Sequence, residues 1–171
     1  PFFDDADMTR RLHFLEDQQD SLAAAVVRRA NELHTAIQND DVEVGVAAVQ
    51  RLLGSSCVHY GLCLQGDELT DAQKSITPLH RAARYGRLEV VRVLLDEVHD
   101  EARALVMDAV TLYDHTALHW AVLYGHSDVA AELITRGCNT NLENHRGKTA
   151  WDLAVDCDDK GVLAVFDDAA P

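Results

Sequence analysis

The sequence predicts an all-α chain: a solenoid of about four helix-turn-helix repeats opened by an N-terminal helical cap. Three observations carry that expectation. A segment of the form Thr-x-x-x-x-Ala recurs from Thr77, Thr116 and Thr149, at intervals of 39 and 33 residues. After each start, apolar residues follow at spacings of three and four, the period of a helix with one dry face. Ala, Leu and Val dominate a chain that is 47% apolar and 26% charged, a balance that suits packed helices better than a sheet. At 171 residues, the length is that of one domain able to bury a continuous core.

Residues 1–32 read as the cap. Met8, Leu12, Leu15, Leu22, Val26 and Ala30 keep helical spacing and run on into Leu33 and Ile37. They form one long helix, or two broken near Asp17 to Ser21. A coiled-coil dimerisation arm is the other reading, but Gln19 falls on the seam and heptads need several clean turns. Residues 33–76 read as a degenerate repeat plus a loop. Leu33-His34-Thr35-Ala36-Ile37 and Val42-Glu43-Val44 align with Leu79 through Val90 at a constant offset of 46. The remainder needs about one extra helical turn near Gly45 to Ala48. Gly54 to Ile76 reads as an excursion loop.

The clear repeats occupy 77–115, 116–148 and 149–171, the last as a C-terminal cap. In each, a Thr opens a short helix and offers its hydroxyl to an orphan backbone N–H. Leu79, Ala82 and Ala83 keep one face dry, and the alanines let a neighbouring helix approach. Gly86 and Gly125 end their helices where a left-handed turn is wanted, as Asp40 does in the faint copy. Leu88, Val91, Leu94 and Leu95 then line the second helix. A pair this small cannot cover its own apolar faces, so stacking is required. The joint from Asp96 to His115 is six residues longer than Thr135 to Lys148, and Ala104 to Met107 within it reads as a small apolar finger.

The formal charge is −14, which argues against a general nucleic-acid binder. Six acids lie between Trp151 and the end, whereas Arg81, Arg84, Arg87 and Arg92 make the middle locally basic. Arg81, Arg84 and Arg87, at spacings of three, read either as a clamp for a carboxylate or phosphate or as a solvated face, the latter slightly favoured. Four cysteines are too few for a disulfide scaffold of this length, and no apolar run approaches the roughly 18 residues of a membrane span. An intracellular, cytoplasmic setting is expected, without membrane insertion. Pro1 stands where Met would open a complete chain, so a piece of a longer protein is expected.

Catalysis and metal binding are weakly represented. No phosphate-binding glycine loop, nucleophile elbow or zinc-protease helix is present. Cys57-x-His59-x-x-x-Cys63 has three zinc-type ligands but lacks the fourth that a structural site needs. Asp156-x-Asp158-x-Lys160-Gly161 half-imitates a calcium loop, with Lys160 where an oxygen ligand belongs. His115 and His119 are four apart, yet the first precedes the helix cap. The expectation is a chain that is not an enzyme and uses no metal or cofactor.

Thr-Pro-Leu-His-x-Ala-Ala at Thr77, then Gly86 and Leu88-Glu89-Val90-Val91-x-x-Leu94-Leu95, resembles the ankyrin repeat family. The resemblance extends over about Leu33 to Phe166 and is faintest in the first copy. It implies that Arg136 to Thr149 forms an inter-repeat β-hairpin. It also implies that His80 and His119 tie adjacent turns together by imidazole hydrogen bonds. Trp151-Asp152 replaces Leu-His in the last copy, as suits a terminal repeat with one face in water. The function implied is a protein-interaction module, a monomer that grips a partner protein on a concave face. Its exposed helix positions are Arg84 and Tyr85, Leu123 and Tyr124, then Asp156 and Cys157. Tyr113 and His115 occupy one set of turn tips, and His145, Arg146 and Lys148 the next. Tyr and Arg are the side chains that most often anchor interfaces, which supports the same choice from chemistry alone. The competing reading is that Tyr85 and Tyr124 merely pack against the next repeat. At the level of the whole protein, two alternatives remain: a regulatory segment of a larger enzyme whose catalytic domain lies elsewhere, or self-association through Met8 to Val26.

Overall fold

The computed structural model describes residues 28, 32–38, 42–53, 76–98 and 100–168. The expected helix over Met8 to Val26 and the Cys57–His59–Cys63 set lie outside the described residues, as does all but the last residue of the Gly54–Ile76 joint. Helices pair along the chain: α1 (residues 32–38) with α2 (Val42–Leu53), and α3 (Pro78–Arg84) with α4 (Leu88–Asp96). After α5 (Asp100–Met107) come α6 (Ala117–Leu123) with α7 (Ser127–Thr135), then α8 (Ala150–Asp156) with α9 (Lys160–Asp168).

The helices stack in two layers. In the first layer α3 packs on α6 and α6 on α8; in the second, α2, α4, α7 and α9 follow one another. The apolar faces meet between them. Leu79, Ala82, Ala83, Leu94, Leu95, Leu118, Ala121, Val122, Leu133, Ala154 and Val162 form one continuous core, joined by Leu33, Ile37 and Val49 from the faint copy. A fully buried Leu or Val stabilises by about 1.5–3 kcal/mol relative to exposure, and no pair supplies that burial alone.

Local chemistry sets the boundaries. Thr77, Thr116 and Thr149 are extended N-caps whose side chains accept from the backbone N–H three residues on, and in each case that third residue bonds back to the cap. Gly86 and Gly125 sit at φ +63° and +73°, where a side chain is strained. The faint first copy needs its extra turn, and α2 supplies it with 12 residues against nine in α4, α7 and α9.

Two expectations are corrected. The links between repeats are not β-hairpins: among the described residues no strand forms. Each of the two described links is a tight turn closed by two backbone bonds: Thr111 N–H to the His115 carbonyl (3.0 Å) with Asp114 N–H to the Thr111 carbonyl (2.9 Å), and Asn144 N–H to the Lys148 carbonyl (2.9 Å) with Gly147 N–H to the Asn144 carbonyl (2.8 Å). With so few residues turning back, no ladder is sustained. The apolar finger is the helix α5, of which Met107 enters the core while Leu105 stays 77% exposed.

Candidate functional site

Each short first-layer helix spends its buried face on the core, so its remaining residues and the turns at its ends are what a partner can reach. The carbonyl before each helix cap is where the repeats are tied. His80 Nε2–H donates to the His115 carbonyl at 2.9 Å, and His119 Nε2–H donates to the Lys148 carbonyl at 3.1 Å. A carbonyl only accepts, so the hydrogen is on Nε2, leaving Nδ1 to accept. It does so from the Thr77 hydroxyl (2.7 Å) and backbone N–H (3.3 Å), and in the next repeat from Thr116 at 2.8 and 3.2 Å. A protonated ring would have no acceptor role to offer there. Burial adds to this, lowering His80 from 6.5 to about 4, with His119 lowered also by burial. In the last repeat Asp152 Oδ2 takes over the local half, accepting from Thr149 N–H at 2.9 Å and from its hydroxyl at 2.7 Å.

At the C-terminal ends of α3 and α6 a cation–aromatic cluster forms. The Arg84 guanidinium carbon lies 5.7 Å from the Tyr85 ring centroid, 5.5 Å from that of Trp120 and 5.2 Å from that of Tyr124. These distances are within cation–π range. Trp120 also meets Tyr124 (6.3 Å) and, edge-on, His80 (5.9 Å). Tyr85 remains 38% exposed and Tyr124 48%, so packing within the stack does not consume either ring. Leu123, 42% exposed, stands one residue before Tyr124.

At the opposite ends of the helices the turn tips form a second cluster. His145 donates its backbone N–H (3.2 Å) and its Nδ1–H (3.0 Å) to the Tyr113 carbonyl, and the two rings sit 5.3 Å apart. His115 meets both His145 and His119 at 5.7 Å. The buried Asn144 organises the tip: its Oδ1 accepts from the backbone of Arg146 and Lys148, and its Nδ2 donates to His115 Nε2 at 3.3 Å. Burial, the neighbouring His119 and His145 imidazoles and the Arg146 charge together hold His115 below its ordinary value.

The structure therefore brings Arg84, Tyr85 and Tyr124 together, and separately Tyr113, His115 and His145. Lys148 joins neither, because its ammonium is held by Asp156. Cys157 is exposed in the turn after α8. Of the three arginines spaced three apart, one side chain is open to a partner. Arg81 and Arg87 are half-buried, and burial disfavours the Arg81 charge, whereas Arg84 alone is exposed. Trp120 was missing from the expected contact set. Its signal was legible as an aromatic four residues before Tyr124, on the same helical face. Asp159, which lies between the motif positions Asp158 and Lys160 of the imitation calcium loop, has a structural duty, capping the first turn of α9 through Gly161 and Val162 N–H. Among the described residues no group of His, Cys, Asp or Glu is placed to hold a metal ion, and no helix is long and apolar enough to cross a membrane.

Comparison with known proteins follows the same lines. The rice BTB/POZ domain and ankyrin repeat-containing protein NPR2 is 39% identical over 84 residues, 48% of this chain and 12% of its own length. The E3 ubiquitin-protein ligase hecd-1 of Caenorhabditis elegans is 32% identical over 84 residues, 49% of this chain and 3% of its own. The human palmitoyltransferase ZDHHC17 is 45% identical over 42 residues, 25% of this chain and 7% of its own. The match thus spans 12% or less of each relative's length. A family model of ankyrin repeats, in three copies, matches residues 33–144. With that match lying on the helix pairs and imidazole ties described above, the chain belongs to the ankyrin repeat family, whose repeats are protein-interaction modules.

Proposed function

We propose that this chain grips a partner protein through the face made by the first-layer helices and the turn tips, and performs no chemistry of its own. Arg84, Tyr85, Leu123 and Tyr124 form one half of that face, with Trp120 beneath them. Tyr113, His115, His145, Arg146 and Lys148 form the other. The observation that carries the reading is the exposed pair Tyr85 and Tyr124, held at equivalent repeat positions around one arginine. Rigid aromatics and arginine give large contact area at low entropic cost. In this reading the repeats over 33–171 act as one binding unit, residues 1–32 cover its first edge, and the module works as a monomer inside the cell. A pull-down with the intact chain tests it against a Tyr85→Ala plus Tyr124→Ala double variant. The double variant is expected to lose the proteins that the parent chain retains. Equal recovery by both refutes the contact face.

A second reading has its own support. Two of the relatives are named as a ligase and a palmitoyltransferase, and the matched stretch is a small part of each. Here the module is the recruiting or regulatory segment of a larger enzyme. The sequence flanking this chain in its gene decides it: an adjoining catalytic domain supports the reading, and its absence removes it.

A further inference from the structure

The face holds a cation without an acid of its own. Among the described residues Arg84 pairs with no carboxylate, although the chain carries 29 Asp and Glu against 15 Lys and Arg. Three other cations of the stack are matched by acids. Arg92 is held by Glu89 and Glu132, Arg136 by Asp96 and Glu132, and Lys148 by Asp156. Arg84 is instead held by Tyr85, Trp120 and Tyr124. Rings engage the faces of a guanidinium and offer little to its in-plane N–H donors, which suit a carboxylate bidentately. A side chain already positioned by three rings loses less freedom when it binds.

We propose that this cradle receives one carboxylate, an Asp or Glu side chain set among apolar residues in a segment of the partner protein. This deepens the proposed function and rests on it. The count of charges decides between one acid and many. A phosphate dianion or an acidic run needs several cations together, but Arg81 and Arg87 are half-buried, Lys148 is already paired, and the exposed Arg146 belongs to the turn tips at the opposite ends of the helices. A chain of net charge −14 also repels a polyanion at long range. The apolar flanks match the exposed Leu123 and the two tyrosine rings.

Selection of a phage-displayed random peptide library on the full chain tests this, followed by titration of the enriched peptides. The enriched peptides are expected to share a single Asp or Glu between apolar residues. Replacing that acid by its amide, or Arg84→Gln in the chain, should each weaken binding about tenfold, and the two together little more than either alone. The peptide substitution leaves the chain intact, so the contribution of the acid is read even where Arg84→Gln perturbs folding, and its absence alone overturns the proposal. No enrichment, enriched peptides without an acid, preference for polyglutamate, or affinity indifferent to Arg84→Gln overturns the proposal. Peptides lost with Tyr85→Ala plus Tyr124→Ala but kept by Arg84→Gln overturn the carboxylate alone. Peptides indifferent to all three substitutions overturn the face as well.

Discussion

Gly86 shows how one residue serves two repeats. At φ +63° it makes the turn out of α3, and a Cβ added there would lie 2.5 Å from Nδ1 of His126. That imidazole belongs to the next repeat, where it opens α7 and donates Nε2–H to the Arg84 carbonyl at 3.0 Å. Gly137 shares the positive φ, at +87°, but has open space where a Cβ would go. Gly137→Ala is therefore expected to cost about 1–2 kcal/mol from backbone strain alone. Gly86→Ala should cost clearly more, because it also displaces His126; denaturant unfolding of the two variants measures the difference, and equal losses contradict the contact. The turn at Gly86 was legible in the sequence, since glycine follows the helical run there. The His126 contact was not, because it joins residues 40 apart through a packing offset that no local pattern specifies. Asp114 and Asp158 hold left-handed positions at φ 55° and 51° without glycine, which is why those turns were quieter.

At the scale of the element, the second-layer helices are stitched by alternating charge. Glu132 on α7 bonds Arg92 on α4 through Oε2 (3.0 Å) and Arg136 through Oε1 (2.9 Å), while Arg136 reaches Asp96 at 2.6 Å. Burial pushes the Glu132 carboxyl up, but the two guanidinium groups outweigh it and hold it below the ordinary range. Glu132→Gln is expected to destabilise by about 1 kcal/mol at low salt, a loss that shrinks as ionic strength rises. Unfolding in dilute and in concentrated sodium chloride checks it; a salt-independent loss contradicts the ion-chain account. Helix starts were legible because Thr77, Thr116 and Thr149 announce their caps within four residues. The ion chain was hidden, since Arg92 and Glu132 meet only after stacking sets the register of α4 against α7.

At the scale of the whole molecule, stability lies in the interfaces between repeats. Leu118 and Trp151 occupy the same repeat position, yet Leu118 is buried and Trp151 is 48% exposed beyond the last interface. Leu118→Ala is expected to cost about 2–5 kcal/mol, and Trp151→Ala less, as thermal or denaturant unfolding would show. The imidazole ties also make folding sensitive to pH. His80 titrates at about 4 when folded, against 6.5 in the free side chain, so between those values the unfolded chain binds the extra proton. Its contribution is complete above pH 6.5 and is lost as pH falls towards 4, amounting to about 3 kcal/mol. His115 and His119, both lowered, act in the same direction. His80→Gln should flatten that part of the stability–pH curve. The stack and the first-helix contact positions were readable from the recurring motif, because periodic apolar spacing dictates which face is buried. The grouping of Arg84 with Trp120 was not, since it arises only when adjacent helices align.

Nitrogen-detected NMR of the histidine side chains tests the stacked account most directly. It predicts that His80 and His119 carry hydrogen on Nε2 alone and that both protonate below the ordinary imidazole value, His80 near 4. Mixed tautomers titrating at about 6.5, as in a free imidazole, would mean that neighbouring repeats are not tied together in this way.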